Sequence, residues 1–325
     1  MIRGYKGEDG HLRAIPEGDA DMGKAQWLDL FDPTREEEKT VESWVGVGIP
    51  TRADMEEIEV SSRLYHKKQA AFMTAVLPAP GQGGLPPLLM PVTFILAGGR
   101  LITLRYHEPV AFRNFPTQAE QKALFSDKAG ALLVGLLEAI VDREADVLEQ
   151  VGHDIETISQ SVLQAEEGKG FARSRDFRTP LRDIGRKGDF LGKIQESLVS
   201  LQLLLGFLGD YLKENGTEPD VCTHAETLVR DVRSLSEHVG FLSQKIGFLL
   251  DATLGMISIE QNVIIKIFSV VAVVLMPPTL IASIFGMNFR YMPELAWPFG
   301  CPMALLLMAL SAGVSYLYFR RRGWV

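Results

Sequence analysis

Two cysteines occur in 325 residues, Cys222 and Cys301, far apart and in unlike surroundings. They provide no disulfide framework, and a reducing compartment for the body of the chain is the simplest reading. Cys222-Thr223-His224 has no second ligand pair nearby, which argues against a zinc site. The N-terminal Met1-Ile2-Arg3-Gly4-Tyr5 is polar and lacks the apolar stretch of a secretory signal. No phosphate-cradling glycine loop, His-Glu-x-x-His or nucleophile elbow is present, so the common signatures of nucleotide hydrolases, zinc peptidases and serine hydrolases are missing. Positive charge is also scarce: 33 Lys and Arg face 41 Asp and Glu, for a net charge of -8. A nucleic-acid partner is not expected, because phosphate binding needs clustered basic residues.

Charge is absent from two long stretches near the C-terminus. Residues 267–289 and 295–319 carry none, over 23 and 25 positions. About 20 apolar residues in a helix cross ~30 Å of hydrocarbon, so each stretch predicts a membrane span. The asymmetry of charge follows the same division. Residues 266–325 hold five basic residues and Glu294, a net of +4, which leaves -12 on residues 1–265. Such an acidic body suits cations as partners. Lys266 precedes the first span, Arg320-Arg321-Arg322 follow the second, and the link Arg290 to Glu294 is neutral. Basic flanks stay inside, so both termini are expected to be cytoplasmic with a short external link. Tyr316, Tyr318 and Trp324 at one edge, with Tyr291 and Trp297 at the other, suit the membrane interfaces. Two spans per chain enclose no pore, so a channel built this way needs several copies around one axis.

The pattern predicts six segments. Residues 1–125 form an α/β domain, 126–265 a helical bundle and stalk, and 266–289 a first membrane helix. Residues 290–297 form an external loop, 298–320 a second membrane helix, and 321–325 a basic tail. In the α/β domain Trp27–Leu30 and Phe72–Leu77 read as strands. Phe94–Leu96 and Leu101–Leu104 read as a hairpin turned by Gly98-Gly99. Asp32 is the expected cap of a helix with Pro33 at its first position and Glu36, Glu37 and Glu38 in its first turn. Further helices are expected from Ser126 to about Glu166 and from Thr179-Pro180 to Asn215-Gly216. Proline is absent from Asp220 to Met276, and Leu228, Val232, Leu235, Val239, Leu242, Ile246 and Leu249 recur at helical spacing. One helix of ~100 Å is expected to run from 220 to 286, long enough to need partners along its length.

Stepping back from Gly286 by alternating three and four gives Ser283, Thr279, Met276, Ala272, Ser269, Ile265, Asn262, Ser258, Gly255 and Asp251. Every polar residue of the first span ahead of the link lies on this stripe, while Val270, Val271, Val273, Val274, Leu280, Ile281 and Ile284 lie off it. A helix with one face toward water and the others toward lipid or protein needs such a pattern. Small residues can also mark tight helix packing, and the stripe alone fits both readings. Its continuation to Asn262 and Asp251 favours a pore, since symmetry would turn them into rings of amides and carboxylates. Ile265, Ser269, Ala272 and Met276 form a mostly apolar segment able to close a pore by excluding water. Pro277-Pro278 frees nearby carbonyls. Asn288, just beyond the helix end at Gly286, offers an amide oxygen to a hydrated cation, and Mg²⁺ releases its water reluctantly.

Gly286-Met287-Asn288, followed by Met292-Pro293-Glu294-Leu295 and a second span ending in basic residues and Trp324, resembles the CorA magnesium/cobalt channel family. Ile259-Glu260-Gln261-Asn262, Lys266-Ile267-Phe268-Ser269 and Pro277-Pro278-Thr279 add to the resemblance. It is strong over residues 250–325 and weaker over the body, including Thr51-Arg52 through Glu56-Glu57-Ile58-Glu59. The resemblance implies a funnel-shaped homopentamer in the bacterial inner membrane, with the first span lining the pore. It implies influx of Mg²⁺, and of Co²⁺ or Ni²⁺, without a cofactor, driven by membrane potential and closed by intracellular Mg²⁺. Gly286, Met287 and Asn288 would form the selectivity filter, with Asn288 holding hydrated Mg²⁺ through its water. Asn262, Met276 and Thr279 match pore-lining positions, and Asp251 an acidic ring at the cytoplasmic mouth. Phe285 departs from the Tyr that often precedes the tripeptide. Glu56, Glu57, Glu59, Asp142, Asp146 and Asp154 are acidic residues for which regulatory binding and simple solvation remain alternatives. A zinc transporter of the same family, for which Met287 is unusual, and a membrane-anchored sensor or scaffold are the competing readings.

Overall fold

A computed structural model describes residues 1–8, 11–16, 19–79, 87–121, 128–163, 177–287 and 298–324. The chain divides into two compact units, Met1–Leu249 and Leu250–Val325.

The first unit is built on a seven-stranded sheet. Its strands are β1 (Ile2–Glu8), β2 (His11–Ile15), β3 (Trp27–Phe31), β4 (Leu64–Lys67), β5 (Ala70–Ala79), β6 (Leu88–Ala97) and β7 (Arg100–Arg105), in spatial order β2-β1-β3-β7-β6-β5-β4. All neighbours are antiparallel except β3 and β7, which run parallel with Leu28 opposite Ile102. The expected hairpin is β6–β7, with Ala97 paired to Arg100. Gly98 and Gly99 have φ of 57° and 74°. A two-residue turn of this hand needs positive φ at both positions, which glycine adopts without steric cost.

Side-chain alternation covers both faces of the sheet. Leu28, Leu30, Phe72, Ile95, Ile102 and Leu104 pack with Val41 of α1 (Arg35–Val45) and Met55 of α2 (Arg52–Glu56). The cap of α1 is Thr34 rather than the expected Asp32. Thr34 Oγ1 accepts from the Glu37 backbone N–H at 3.3 Å, and Glu37 Oε2 accepts from the Thr34 N–H at 2.8 Å. This reciprocal box satisfies two end donors together, and Asp32 instead adopts φ 42° ahead of Pro33. A short helix α3 (Val60–Arg63) leads into β4.

The opposite face lies toward α4 (Val110–Gln121), α5 (Ala129–Leu163) and α6 (Arg178–Glu214). It contains a buried polar network. Arg105, fully buried, donates to Asp29 from Nε at 3.0 Å and from Nη2 at 2.8 Å, and from Nη1 to the His107 carbonyl at 3.0 Å. Thr103 donates to Asp29, and the Trp27 indole donates to Thr103. The rings of Phe31 and Phe112 flank the guanidinium at 4.6 and 4.9 Å. A buried charge pair is tolerable when its remaining donors and acceptors are matched, as here.

The long helix α7 covers Pro219–Phe285 without interruption. Within the first unit it buries Leu228, Val232, Val239, Leu242, Ile246 and Leu249 of the expected seam, with Leu235 half-buried, and also Ala225 ahead of it. Polar ties to the other long helices flank that seam. Gln195 Nε2 donates to Ser236 Oγ at 2.7 Å, and Lys245 meets Glu156 at 2.6 Å. The expected caps at Ser126 and the break at Gly168 and Gly170 lie outside the described residues; α5 and α6 themselves run at 129–163 and 178–214.

The second unit holds the end of α7 and a further helix α8 (Gly300–Arg321). Both helices are long and apolar enough to cross a membrane, and only 6% and 11% of their most apolar windows are buried. Apolar side chains left bare on this scale belong to a helix whose solvent is lipid or another helix, not to the core of a water-soluble domain.

Candidate functional site

The stripe read from the sequence is a continuous bare face. Asp251, Gly255, Ser258, Asn262, Ile265, Ser269, Ala272, Met276, Thr279, Ser283 and Gly286 are all exposed. The better-covered positions of the same helix, Ile267, Val270, Val274, Pro277, Ile281 and Phe285, recur on another face. A strict 3.5-residue repeat drifts by ~20° per heptad on a straight helix, so several copies would keep this face inward by coiling left-handedly.

Two hydroxyls on the face have a defined polarity. Ser269 Oγ donates to the Ile265 carbonyl at 2.8 Å, and Thr279 Oγ1 donates to the Leu275 carbonyl at 2.7 Å. With the proton turned back onto the helix, each oxygen presents only lone pairs outward. Water bound to a cation points its protons away from the metal, so such oxygens suit a hydrated ion. Pro277 and Pro278 lie inside α7. Their ring nitrogens donate nothing, which leaves the carbonyls of Val273 and Val274, four residues back, without helical donors.

The helix closes at Gly286, whose N–H reaches the Ala282 carbonyl at 3.0 Å, while the Met287 N–H tightens onto Ile284 at 3.2 Å. A side chain at 286 would place its Cβ 3.2 Å from the Ala282 oxygen. Glycine therefore suits this close turn. Met287 is exposed at 43%. Asn288, the residue on which the sequence places cation binding, lies outside the described residues.

At the other end of the span Lys266 donates to the Gly323 carbonyl at 3.2 Å and sits 5.5 Å over the Trp324 ring. This clasp places the start of the first span and the end of the second at the same level of the helix pair. The sequence carried its signal as a lone lysine before one apolar run and a tryptophan after the other, but not the pairing.

The acidic residues of the first unit divide. Asp154 is ion-paired with Lys187, whose charge, with a Gln150 hydrogen bond, holds its pKa below the usual value despite burial. Glu56 pairs with Arg52 at 3.2 Å. Asp142 has its pKa raised by burial and then by the negative charge of Glu138, Asp146 and Asp231. Cys222 is half-buried, and His224 meets Glu138 at 3.2 Å. Among the described residues no three His, Cys, Asp or Glu side chains are grouped to hold a metal.

Comparison with known proteins gives this arrangement its class. The family described as CorA-like Mg²⁺ transporter protein matches residues 23–321. The magnesium transport protein CorA of Pasteurella multocida is 36% identical over 326 residues, covering 100% of both chains. That of Escherichia coli K12 is 34% identical over 329 residues, again with 100% of both covered. The complete structure of the CorA magnesium transporter from Methanocaldococcus jannaschii shares the fold, with a TM-score of 0.78 at 20% identity over 100% of this chain and 99% of that one. An α/β domain, a long helix and two apolar helices thus define a membrane ion transporter and not an enzyme. The chain belongs to the CorA-like Mg²⁺ transporter family.

Proposed function

We propose that five copies of this chain surround one channel through which Mg²⁺ enters the cell, lined by the bare stripe of α7. The observation that carries this reading is the stripe itself: eleven positions at one period, all exposed, gathering the polar residues of the span on one face. Asn288 and its neighbours Gly286 and Met287 form the outer filter and hold the ion through its water. Thr279, Ser283 and Ser269 offer acceptor oxygens below it. Met276, Ala272 and Ile265 form the apolar constriction, and Asn262 and Asp251 ring the cytoplasmic mouth. Phe241, Phe248 and Leu254, exposed at 59%, 61% and 51%, supply apolar surface for contact between copies.

Both termini lie on the cytoplasmic side of the inner membrane in this reading, which is supported by Lys266 and the Arg320–Arg322 run, gathered at one end of the helix pair by the clasp. No nucleotide is needed. A membrane potential supplies ~2.3 kcal/mol per charge per 100 mV, and a divalent ion gains about twice that. Co²⁺ and Ni²⁺, close to Mg²⁺ in size and hydration, pass by the same route. Intracellular Mg²⁺ bound between the acidic bodies offsets their repulsion and favours the closed arrangement.

Ion flux into liposomes holding only this protein tests the reading. Mg²⁺ uptake that rises with an inside-negative potential is the expected result. Absence of flux in correctly oriented, assembled protein would reduce the helices to a tether, and Zn²⁺ flux without Mg²⁺ flux would select the zinc reading.

A further inference from the structure

The last turn of α8 closes on itself. Gly323 adopts φ 68°, its N–H reaches the Arg320 carbonyl at 3.1 Å, and the Trp324 N–H reaches the Phe319 carbonyl at 3.1 Å. This left-handed closure folds the chain back on the helix. It sets Trp324 5.6 Å from the Phe319 ring and beneath the Lys266 ammonium. The clasp thus gathers Lys266 with Arg320, Arg321 and Arg322, and the three arginines are exposed. The partners of these cations are neutral. Lys266 has the Gly323 carbonyl and the Trp324 ring, and Arg322 lies 5.5 Å over the Tyr318 ring. Among the described residues none of the four meets a carboxylate within ion-pair distance. The nearest acidic residue along α7, Glu260, stands six positions before Lys266, ~9 Å away along the helix.

One face of α8 leads to these charges. Leu310, Val314 and Leu317 are exposed, and their helical spacing places them in one row with Arg321. From Leu310 to Arg321 the row is ~16 Å long at ~1.5 Å per residue, about half of the ~30 Å hydrocarbon core. An apolar row the length of one leaflet, ended by four cations without an anionic partner, is the complement of an amphiphile with a negative head. We infer that the clasp holds an anionic phospholipid, with its phosphate at Arg320, Arg321, Arg322 and Lys266 and an acyl chain along Leu310, Val314 and Leu317. The guanidinium fork suits a phosphate because it donates two parallel hydrogen bonds. Tyr318 and Trp324 belong at the headgroup level, where an amphipathic ring is half wet. A zwitterionic headgroup is disfavoured, because its own cation meets the same four charges. The site requires that the two helices span a membrane, and it is independent of what they conduct.

Native mass spectrometry of the full-length protein, released from an uncharged detergent, tests the site. The probes are phosphatidylglycerol, phosphatidylcholine with the same acyl chains, and glycerol 3-phosphate. Each basic residue beside an anionic lipid surface favours it by roughly fivefold, so phosphatidylglycerol is expected to bind at least about tenfold more tightly than phosphatidylcholine. Glycerol 3-phosphate has the phosphate without the chains and should bind at least about tenfold more weakly than phosphatidylglycerol, since the apolar row then contributes nothing. Arg320→Gln combined with Arg321→Gln leaves the clasp in place and should abolish the preference between the two lipids. Lys266→Gln leaves the arginine run and should weaken phosphatidylglycerol binding about fivefold. It carries the test if the double variant does not assemble. Equal binding of the two lipids to the natural protein overturns the inference, because the cations are then countered within the assembly. Glycerol 3-phosphate binding as tightly as phosphatidylglycerol also overturns it, marking a site for free phosphate. So does a phosphatidylglycerol preference left undiminished in the assembled variants, which would place the lipid elsewhere.

Discussion

The two parts of α7 use one period for opposite ends. From Ala225 to Leu249 the residues at 3.5-residue spacing are apolar and hidden, with Val232 and Leu249 at 0% exposure. From Asp251 to Gly286 the residues at the same spacing are mostly small or polar, and all are bare. Off the stripe the contrast repeats, for Leu275 and Leu280 are exposed at 56% and 61%. The difference lies in the solvent each part was built for. In water a helix hides its apolar seam and leaves polar residues outside. In hydrocarbon apolar residues meet the lipid at no cost, whereas polar ones are costly unless they face protein or water.

The largest loss of function is expected at the end of the bare face. Asn288→Ala removes one amide oxygen per copy, and Mg²⁺ uptake is expected to be abolished while the assembly still elutes at its natural size. Near-normal uptake in an assembled variant would remove Asn288 from the filter.

The next contrast is in stability. Leu249→Ala, in the hidden seam, should cost ~2–5 kcal/mol by chemical unfolding in detergent, through lost burial and the cavity left behind. Leu275→Ala, on the bare part of the same helix, should cost a fraction of that. Equal costs would mean that the second part also packs within its own chain.

Charge is buried in the first unit, and this has a pH signature. Burial holds the Glu144 carboxyl at about 8 against an ordinary 4.5. Between those values the unfolded chain has lost a proton that the folded chain keeps. Stability therefore falls as pH rises from 4.5 to 8, by up to ~1.4 kcal/mol per unit, and levels off on either side. Glu144→Gln should remove this contribution and gain stability relative to the natural protein at pH 8. An unchanged slope of unfolding midpoint with pH in the variant would show that the carboxyl ionises freely.

Much of this was legible in the sequence, because both spans are uncharged and the stripe is periodic. The hairpin at Gly98-Gly99 and the seam of α7 were legible for the same reason. Other features were hidden by their composition. β1 mixes Arg3, Gly4 and Lys6 with apolar residues, β4 has four residues, and the parallel pairing of β3 with β7 joins segments about 75 positions apart. Asp29 and Arg105 carry no signature of burial in the sequence, because each is buried only by virtue of the other. Glu144 did carry a signal: it continues the apolar spacing of Leu137, Ile140 and Val141 toward Leu148 and Val151, all of them buried. A carboxylate in that series marks a core position.

The smallest expected effect is that of regulation. Millimolar Mg²⁺ on the cytoplasmic side should protect residues 220–262 from proteolysis and lower conductance. Monovalent salt at equal ionic strength should do neither, since screening alone does not bridge subunits. The same protection from both salts would exclude Mg²⁺ sensing and leave the pore untouched.

The most direct measurement concerns the stripe itself. With Cys222 and Cys301 replaced by serine, single cysteines are placed on the stripe at Asn262, Ser269, Met276, Thr279 and Ser283, and off it at Val273 and Leu280. A charged thiol reagent is then applied during Mg²⁺ flux in liposomes. Block is expected at the stripe positions and none at Val273 or Leu280. Equal block at both sets, or block at the off-stripe pair alone, would contradict a pore lined by this face of α7.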